Sequence, residues 1–175
     1  YGDVLIRPKR STLGSRKDVD LDRGFTFRSY KGDTIDGYRH YRGVPIMASN
    51  MDGVGTVEMA DKLAQQGMFT CLVKTLAVSE LIEYFNKDEI TSPPDGDVRK
   101  EHVAMSIGIT DTDAAKFKGV YHQVGDNLKY VCIDVANGYS ERFSNFVRKF
   151  RKQYPNVVII AGNVVTGEMT EELIL

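Results

Sequence analysis

The sequence predicts an α/β fold built on a parallel sheet, and three observations carry that prediction. Five short apolar runs, at 44–48, 68–73, 103–107, 130–135 and 157–161, are continuous rather than alternating, as in strands covered on both faces. The stretches between them carry helical periodicity. The runs recur at roughly 30-residue intervals, the length of a strand with its crossover helix. Strand alternating with helix in this way gives a parallel sheet.

Taken in order, residues 1–42 precede the first run as a separate segment. It holds Arg7, Pro8, Lys9 and Arg10 and the short run Phe25, Thr26 and Phe27. Its Gly, Asp and Arg residues predict loops and a two-stranded lid. Val57, Ala60, Leu63 and Ala64 form the stripe of a helix after the first strand; Leu81, Ile82, Tyr84 and Phe85 form that of a helix after the second. The stretch 91–97 (TSPPDGD) reads as a surface loop, not a domain boundary. After the fourth strand, Ser140 and Glu141 suit a helix start. Phe143, Phe146, Val147 and Phe150 make its apolar face, Arg142, Arg148, Lys149, Arg151 and Lys152 its other faces, and Pro155 its end. Thr166, Gly167, Glu168 and Met169 open one more helix after the fifth strand. The chain reads as a single domain over 1–175, with an N-terminal segment at 1–42 and a strand-helix body at 43–175.

Composition fits a globular protein with a real core: 175 residues, 42% hydrophobic and 27% charged. With 23 basic and 24 acidic residues there is no net field for a nucleic acid or an anionic membrane, so neither partner is expected. No apolar run approaches the ~20 residues that span a bilayer, and no signal-peptide core is evident. Cys71 and Cys132 sit inside apolar runs, which predicts reduced core thiols and a cytoplasmic location.

The polar residues that follow each strand are the informative ones. Ser49, Asn50, Met51 and Asp52 follow the first; Lys74 and Thr75 the second; Gly108 to Asp111 the third; Ala136 to Tyr139 the fourth; Gly162 and Asn163 the fifth. In parallel α/β folds the carboxyl edge of the sheet is where sites are built. Asn and Gly also make ordinary turns, which explains any single loop equally well. Lys74 and Asp134 are harder to explain that way, because a charge at the end of an apolar strand costs energy unless paired or met by a ligand. They either form a structural salt bridge or belong to a site. No GxGxxG, P-loop or GxSxG motif occurs. His40, His102 and His122 match no metal-ligand spacing, so no metal site is expected. Arg7, Lys9, Arg10 and Arg16 suit phosphate groups, or simply a solvated face.

Four stretches carry a resemblance. Residues 3–11 (DVLIRPKRS) with Ser15 and Arg16, and residues 50–56 (NMDGVGT), resemble the start of the IMP dehydrogenase/GMP reductase family. Residues 132–141 (CIDVANGYSE) and 161–175 (AGNVVTGEMTEELIL) are similar to its reductase branch. The dehydrogenases usually carry a different loop after the fourth strand and an insertion that the interval from Lys74 to Val103 cannot hold. The resemblance implies a (β/α)8 TIM barrel, of which this chain holds about the first five βα units. It implies NADPH-dependent conversion of GMP to IMP and ammonia by a homotetramer. Lys74 and Asp134 would be catalytic. Ser15, Arg16, Lys74, Asp134, Val135 and Ala136 would meet the cofactor, and Asn50 and Met51 the nucleotide. The chemistry needs a covalent thioimidate, proton delivery and a dry pocket. The family's nucleophilic cysteine loop, with its threonine and potassium site, follows the sixth strand, beyond Leu175. Neither Cys71 nor Cys132 replaces it. The chain is therefore expected to be the N-terminal part of a longer enzyme and to be inactive alone. Gly53 where the family usually has Thr, Val73, Thr75 and Leu76 around Lys74, and Ile107 to Ile109 depart from the family pattern. Three alternatives stand beside the reductase: an IMP dehydrogenase, an inactive truncated nucleotide-binding or assembly protein, and a five-stranded open sheet of flavodoxin type.

Overall fold

The computed structural model describes residues 3, 5, 7–27, 39–87 and 101–175; the stretch 91–97 lies outside the described residues. Five strands form one parallel sheet: β3 (Met47–Ala48), β4 (Phe69–Cys71), β5 (Val103–Ile107), β6 (Tyr130–Asp134) and β7 (Val158–Gly162). Their order in space is their order in the chain. Met47 lies opposite Phe69, Ala104 opposite Tyr130, and Tyr130 opposite Val158. Winding that never reverses has no switch point, which is the winding of a barrel and overturns the flavodoxin-type alternative.

Each strand is followed by a helix: α1 (Val57–Ala64), α2 (Val78–Asn86), α3 (Asp111–Val124), α4 (Glu141–Gln153) and α5 (Gly167–Ile174). Hydroxyl caps start four of them. Thr56, Thr110, Ser140 and Thr166 each accept from the backbone N–H three residues on, at Met59, Asp113, Phe143 and Met169. The start at Ser140 is the one its sequence predicts. Helix α3 has no counterpart among the stripes read from the sequence. Its buried face is only Phe117, Val120 and Val124, interrupted by Gly119 and charges. The sheet supplies what that weak stripe lacks, since Phe117 and Val120 join the same core as Met105 and Val131.

Alternation along the strands divides the interior in two. Leu72, Val103, Met105, Ile107, Val131 and Ile133 face the helices. Phe69, Cys71, Ala104, Tyr130, Cys132 and Val158 face the other side, where they form a second core with Tyr41 and Phe27. Those two aromatics come from an antiparallel hairpin, β1 (Arg23–Phe27) and β2 (Arg39–Gly43). Tyr41 meets Phe69 edge-on at 5.8 Å, Phe27 meets Tyr130 at 6.2 Å, and Tyr41 OH donates to Gly67 O at 3.3 Å. The expected two-stranded element is thus real, but it plugs the amino ends of the strands and is no lid over the carboxyl ends. The first predicted strand shortens to β3: Pro45 has no N–H to give a ladder, and Val44 and Ile46 turn toward Gly67 and each other.

Candidate active site

Asp134 closes β6 on the face it shares with Tyr130 and Cys132, so its carboxylate emerges at the carboxyl edge of the sheet. Two neighbouring loops reach it there. Asn50, after β3, donates from Nδ2 to Asp134 Oδ2 at 3.0 Å. Lys74, after β4, sits with Nζ 3.3 Å from the same Oδ2 and 3.5 Å from the Asp134 carbonyl. The salt bridge that the sequence allowed therefore forms, and it forms at the site. Lys74 and Asp134 remain 42% and 37% exposed, so the pair adds little to stability. What it fixes is the position of an ammonium beside a carboxylate at a cleft.

A second lysine holds the first. From α3, Lys116 Nζ donates to the carbonyls of Lys74 at 2.7 Å and Leu76 at 2.5 Å, pinning the loop after β4. Burial holds the Lys116 ammonium below its ordinary range. Asp113, one turn away, caps α3 together with Thr110, whose backbone and hydroxyl both donate to its Oδ2. Burial would raise the Asp113 carboxyl; the bonds from Thr110 and Gly108, and the charge of Lys74, outweigh it and lower it.

The loops after β6 and β7 make the other wall. Val135 N donates to Gly162 O at 2.9 Å, Asn163 N to Val135 O at 3.0 Å, and Gly138 N to Asn163 O at 3.0 Å. A Cβ on Gly138 would stand 2.6 Å from Asn163 O, so only glycine permits this approach. Between the walls lies an open cleft of about 500 Å³, lined by Lys74, Asp134, Val135, Ala136, Gly162 and Asn163, with Cys132 and Ile160 deeper along their strands. That volume falls among those of small-molecule sites. Cys71 and Cys132 are free and buried within strands. Their mutual hydrogen bond and burial push the Cys71 thiol up, and the same bond draws Cys132 down.

The structure thus brings together Lys74, Asp134, Val135, Ala136 and Asn50. Ser15 and Arg16 are exposed, Ser15 Oγ accepts from Lys17 N within a short 3-10 turn, and neither is among the residues that line the cleft. Met51 is 62% exposed beside Asn50 and also does not line it. Gly162 and Asn163 carried a signal, their place at a strand end. Lys116 carried none, because its role depends on a loop 42 residues away. Among the described residues no cluster of three or more His, Cys, Asp or Glu forms a metal position, and no helix is long and apolar enough to cross a membrane.

A model of the IMP dehydrogenase / GMP reductase domain matches residues 1–175. The chain belongs to that family. It is 48% identical over its whole length to a GMP reductase of Onchocerca volvulus and 50% identical to one of Klebsiella pneumoniae. Human GMP reductase 2 is 46% identical, again across the whole chain. The chain spans about half the length of these curated relatives, 44% to 46%. An inosine 5'-monophosphate dehydrogenase from Legionella pneumophila matches with a TM-score of 0.68 at 22% identity, covering 98% of this chain and 46% of that one. At that identity the likeness speaks for the fold: a (β/α)8 barrel, here as five consecutive βα units with the hairpin plug at the amino ends.

Proposed function

We propose that this chain is part of a GMP reductase: an enzyme that replaces the C2 amino group of GMP by hydrogen, giving IMP and ammonia with NADPH as reductant. The observation that carries the reading is the convergence of Asn50, Lys74 and Asp134 at the strand ends, in a chain 46% to 50% identical throughout to proteins named GMP reductase. The cleft suits a flat ring with a carboxamide. One wall carries only small side chains at Ala136 and Gly162, while Lys74 and Asn163 offer polar hydrogens. When bound, NADPH would supply the hydride. Lys74, Asp134, Val135, Ala136 and Asn163 would hold it.

The residues themselves divide the remaining work. Asp134 aims the Lys74 side chain, with its Oδ2 3.3 Å and its carbonyl 3.5 Å from Nζ. Lys74 Nζ then stands as a proton source at the mouth of the cleft. Asn50 fixes Asp134 through Oδ2, and Oδ1 accepts from none of the described residues. Asn50 and Met51 belong on the nucleotide side in this reading, and Ser15 and Arg16 reach the cofactor from the N-terminal segment. Potassium has no assigned residue in this chain. A homotetramer and a cytoplasmic location are part of the same proposal and rest on the family resemblance.

The test is an assay of the full-length protein. GMP-dependent oxidation of NADPH with release of ammonia is expected. Reduction of NAD by IMP, with GMP inert, would overturn the assignment in favour of a dehydrogenase. No turnover with either nucleotide would leave a binding or assembly protein.

A further inference from the structure

Tyr139 does something that the reductase reading does not use. It follows Gly138 in the loop after β6, and Asn137 Oδ1 accepts from its N–H at 3.0 Å in a tight side-chain turn. Its hydroxyl oxygen accepts from two successive backbone N–H groups, Val165 at 2.8 Å and Thr166 at 3.0 Å. Those amides precede helix α5, and Thr166 is the cap that starts it. With Val135 to Gly162, Asn163 to Val135 and Gly138 to Asn163, they complete five hydrogen bonds between two loops. Three are backbone to backbone; the other two are those that Tyr139 accepts, and they hang on a single side-chain oxygen.

The two loops so joined carry Val135, Ala136, Gly162 and Asn163, which form one wall of the cleft. Tyr139 itself is not among the residues that line it, and it is 46% exposed. Its oxygen faces amides rather than the cleft, so it cannot pass a proton to a bound molecule there. We propose that Tyr139 is a positioning residue whose hydroxyl oxygen holds the loop at 162–166 against the loop at 135–139, setting the wall that receives NADPH. The choice of NADPH rests on the reductase reading; the clamp does not.

An acceptor role has a pH signature. The Thr166 hydroxyl and the Val165 and Thr166 amides hold the Tyr139 phenol below its ordinary range. A phenolate accepts the same N–H bonds at least as well, so the clamp survives alkaline pH.

The experiment uses the full-length protein with Tyr139→Phe, which keeps the ring and removes the oxygen. Without ligand, hydrogen exchange at the Val165 and Thr166 amides is expected to rise on the order of tenfold. NADPH affinity, read from the fluorescence of the bound dinucleotide, is expected to weaken by about three- to tenfold. The pH profile of kcat is expected to match the parent's. Gly138→Ala, which drives a Cβ into Asn163 O, is expected to weaken NADPH binding as well. Unchanged amide exchange in Tyr139→Phe, or unchanged NADPH affinity in both variants, overturns the proposal. A lost alkaline or acid limb in the kcat profile overturns it too, since that marks proton transfer. Binding of NADPH without GMP-dependent turnover would sink the reductase reading while leaving the clamp intact.

Discussion

At the scale of single residues, the site is built from contacts that are weak as stabilisers and specific as geometry. Lys74 and Asp134 are too exposed for their ion pair to matter to folding, so replacing either should leave the unfolding midpoint nearly unchanged. In the full-length enzyme Lys74→Met or Asp134→Asn should lower kcat by about 100-fold or more, the usual range for a lost proton-transfer group, in steady-state assays of NADPH oxidation. His102 shows the opposite balance. It is buried against the ring of Tyr41 at 5.2 Å, and its Nδ1 has no hydrogen-bond partner among the described residues. Burial lowers its pKa, with Asp22 opposing. The unfolded chain therefore takes up the proton first, so stability is full above the ordinary histidine pKa of about 6.5 and is lost as pH falls through that value toward the folded one. Urea midpoints measured between neutral and mildly acidic pH should fall for the parent, and fall less for His102→Phe.

At the scale of elements, local chemistry and sheet geometry act on different links of the chain. Helix starts are written in the sequence because a cap needs only a hydroxyl and the next three residues. Thr110→Ala should cost about 1 kcal/mol in denaturant unfolding, through loss of the bond to Asp113 N and of the reciprocal bond back to Asp113. The turn after β3 is instead set by what packs on it. A Cβ on Gly55 would lie 2.4 Å from Cys71 O and 2.9 Å from Val73 N, both backbone atoms that cannot swing away. Gly55→Ala should therefore cost about 1–3 kcal/mol and disturb the neighbouring Lys74 loop, seen as a lower melting temperature with a reduced kcat in the full-length protein. Helix α3 was illegible for a related reason. Its apolar stripe is narrow, and the face of the sheet it covers was not available to a reading of its own residues.

At the scale of the whole molecule, two cores back onto one sheet, and the hairpin closes the second of them at the end away from the site. Phe69 sits where that hairpin, β4 and β6 meet, with Tyr41 and Tyr130 edge-on at 5.8 and 5.1 Å. Phe69→Ala should cost about 3–5 kcal/mol in urea unfolding, with no direct change at the carboxyl edge. A polypeptide of these 175 residues alone should show no GMP-dependent NADPH oxidation, since both its cysteines are buried within strands. The sequence by itself determined the alternation of strand and helix, the strand identities to within a few residues, the helix starts at Ser140 and Thr166, the family, and the edge at which polar residues gather. Each depends on neighbours a few positions away, where backbone geometry and hydrophobic period suffice. Only the tertiary structure decided the order of the strands, the end that the hairpin covers, the convergence of Asn50 with Asp134 across 84 residues, and the grip of Lys116 and Tyr139 on distant loops. Those features follow from burying both faces of the sheet and satisfying its strand-end polar groups, and that choice exists only once the chain has closed on itself.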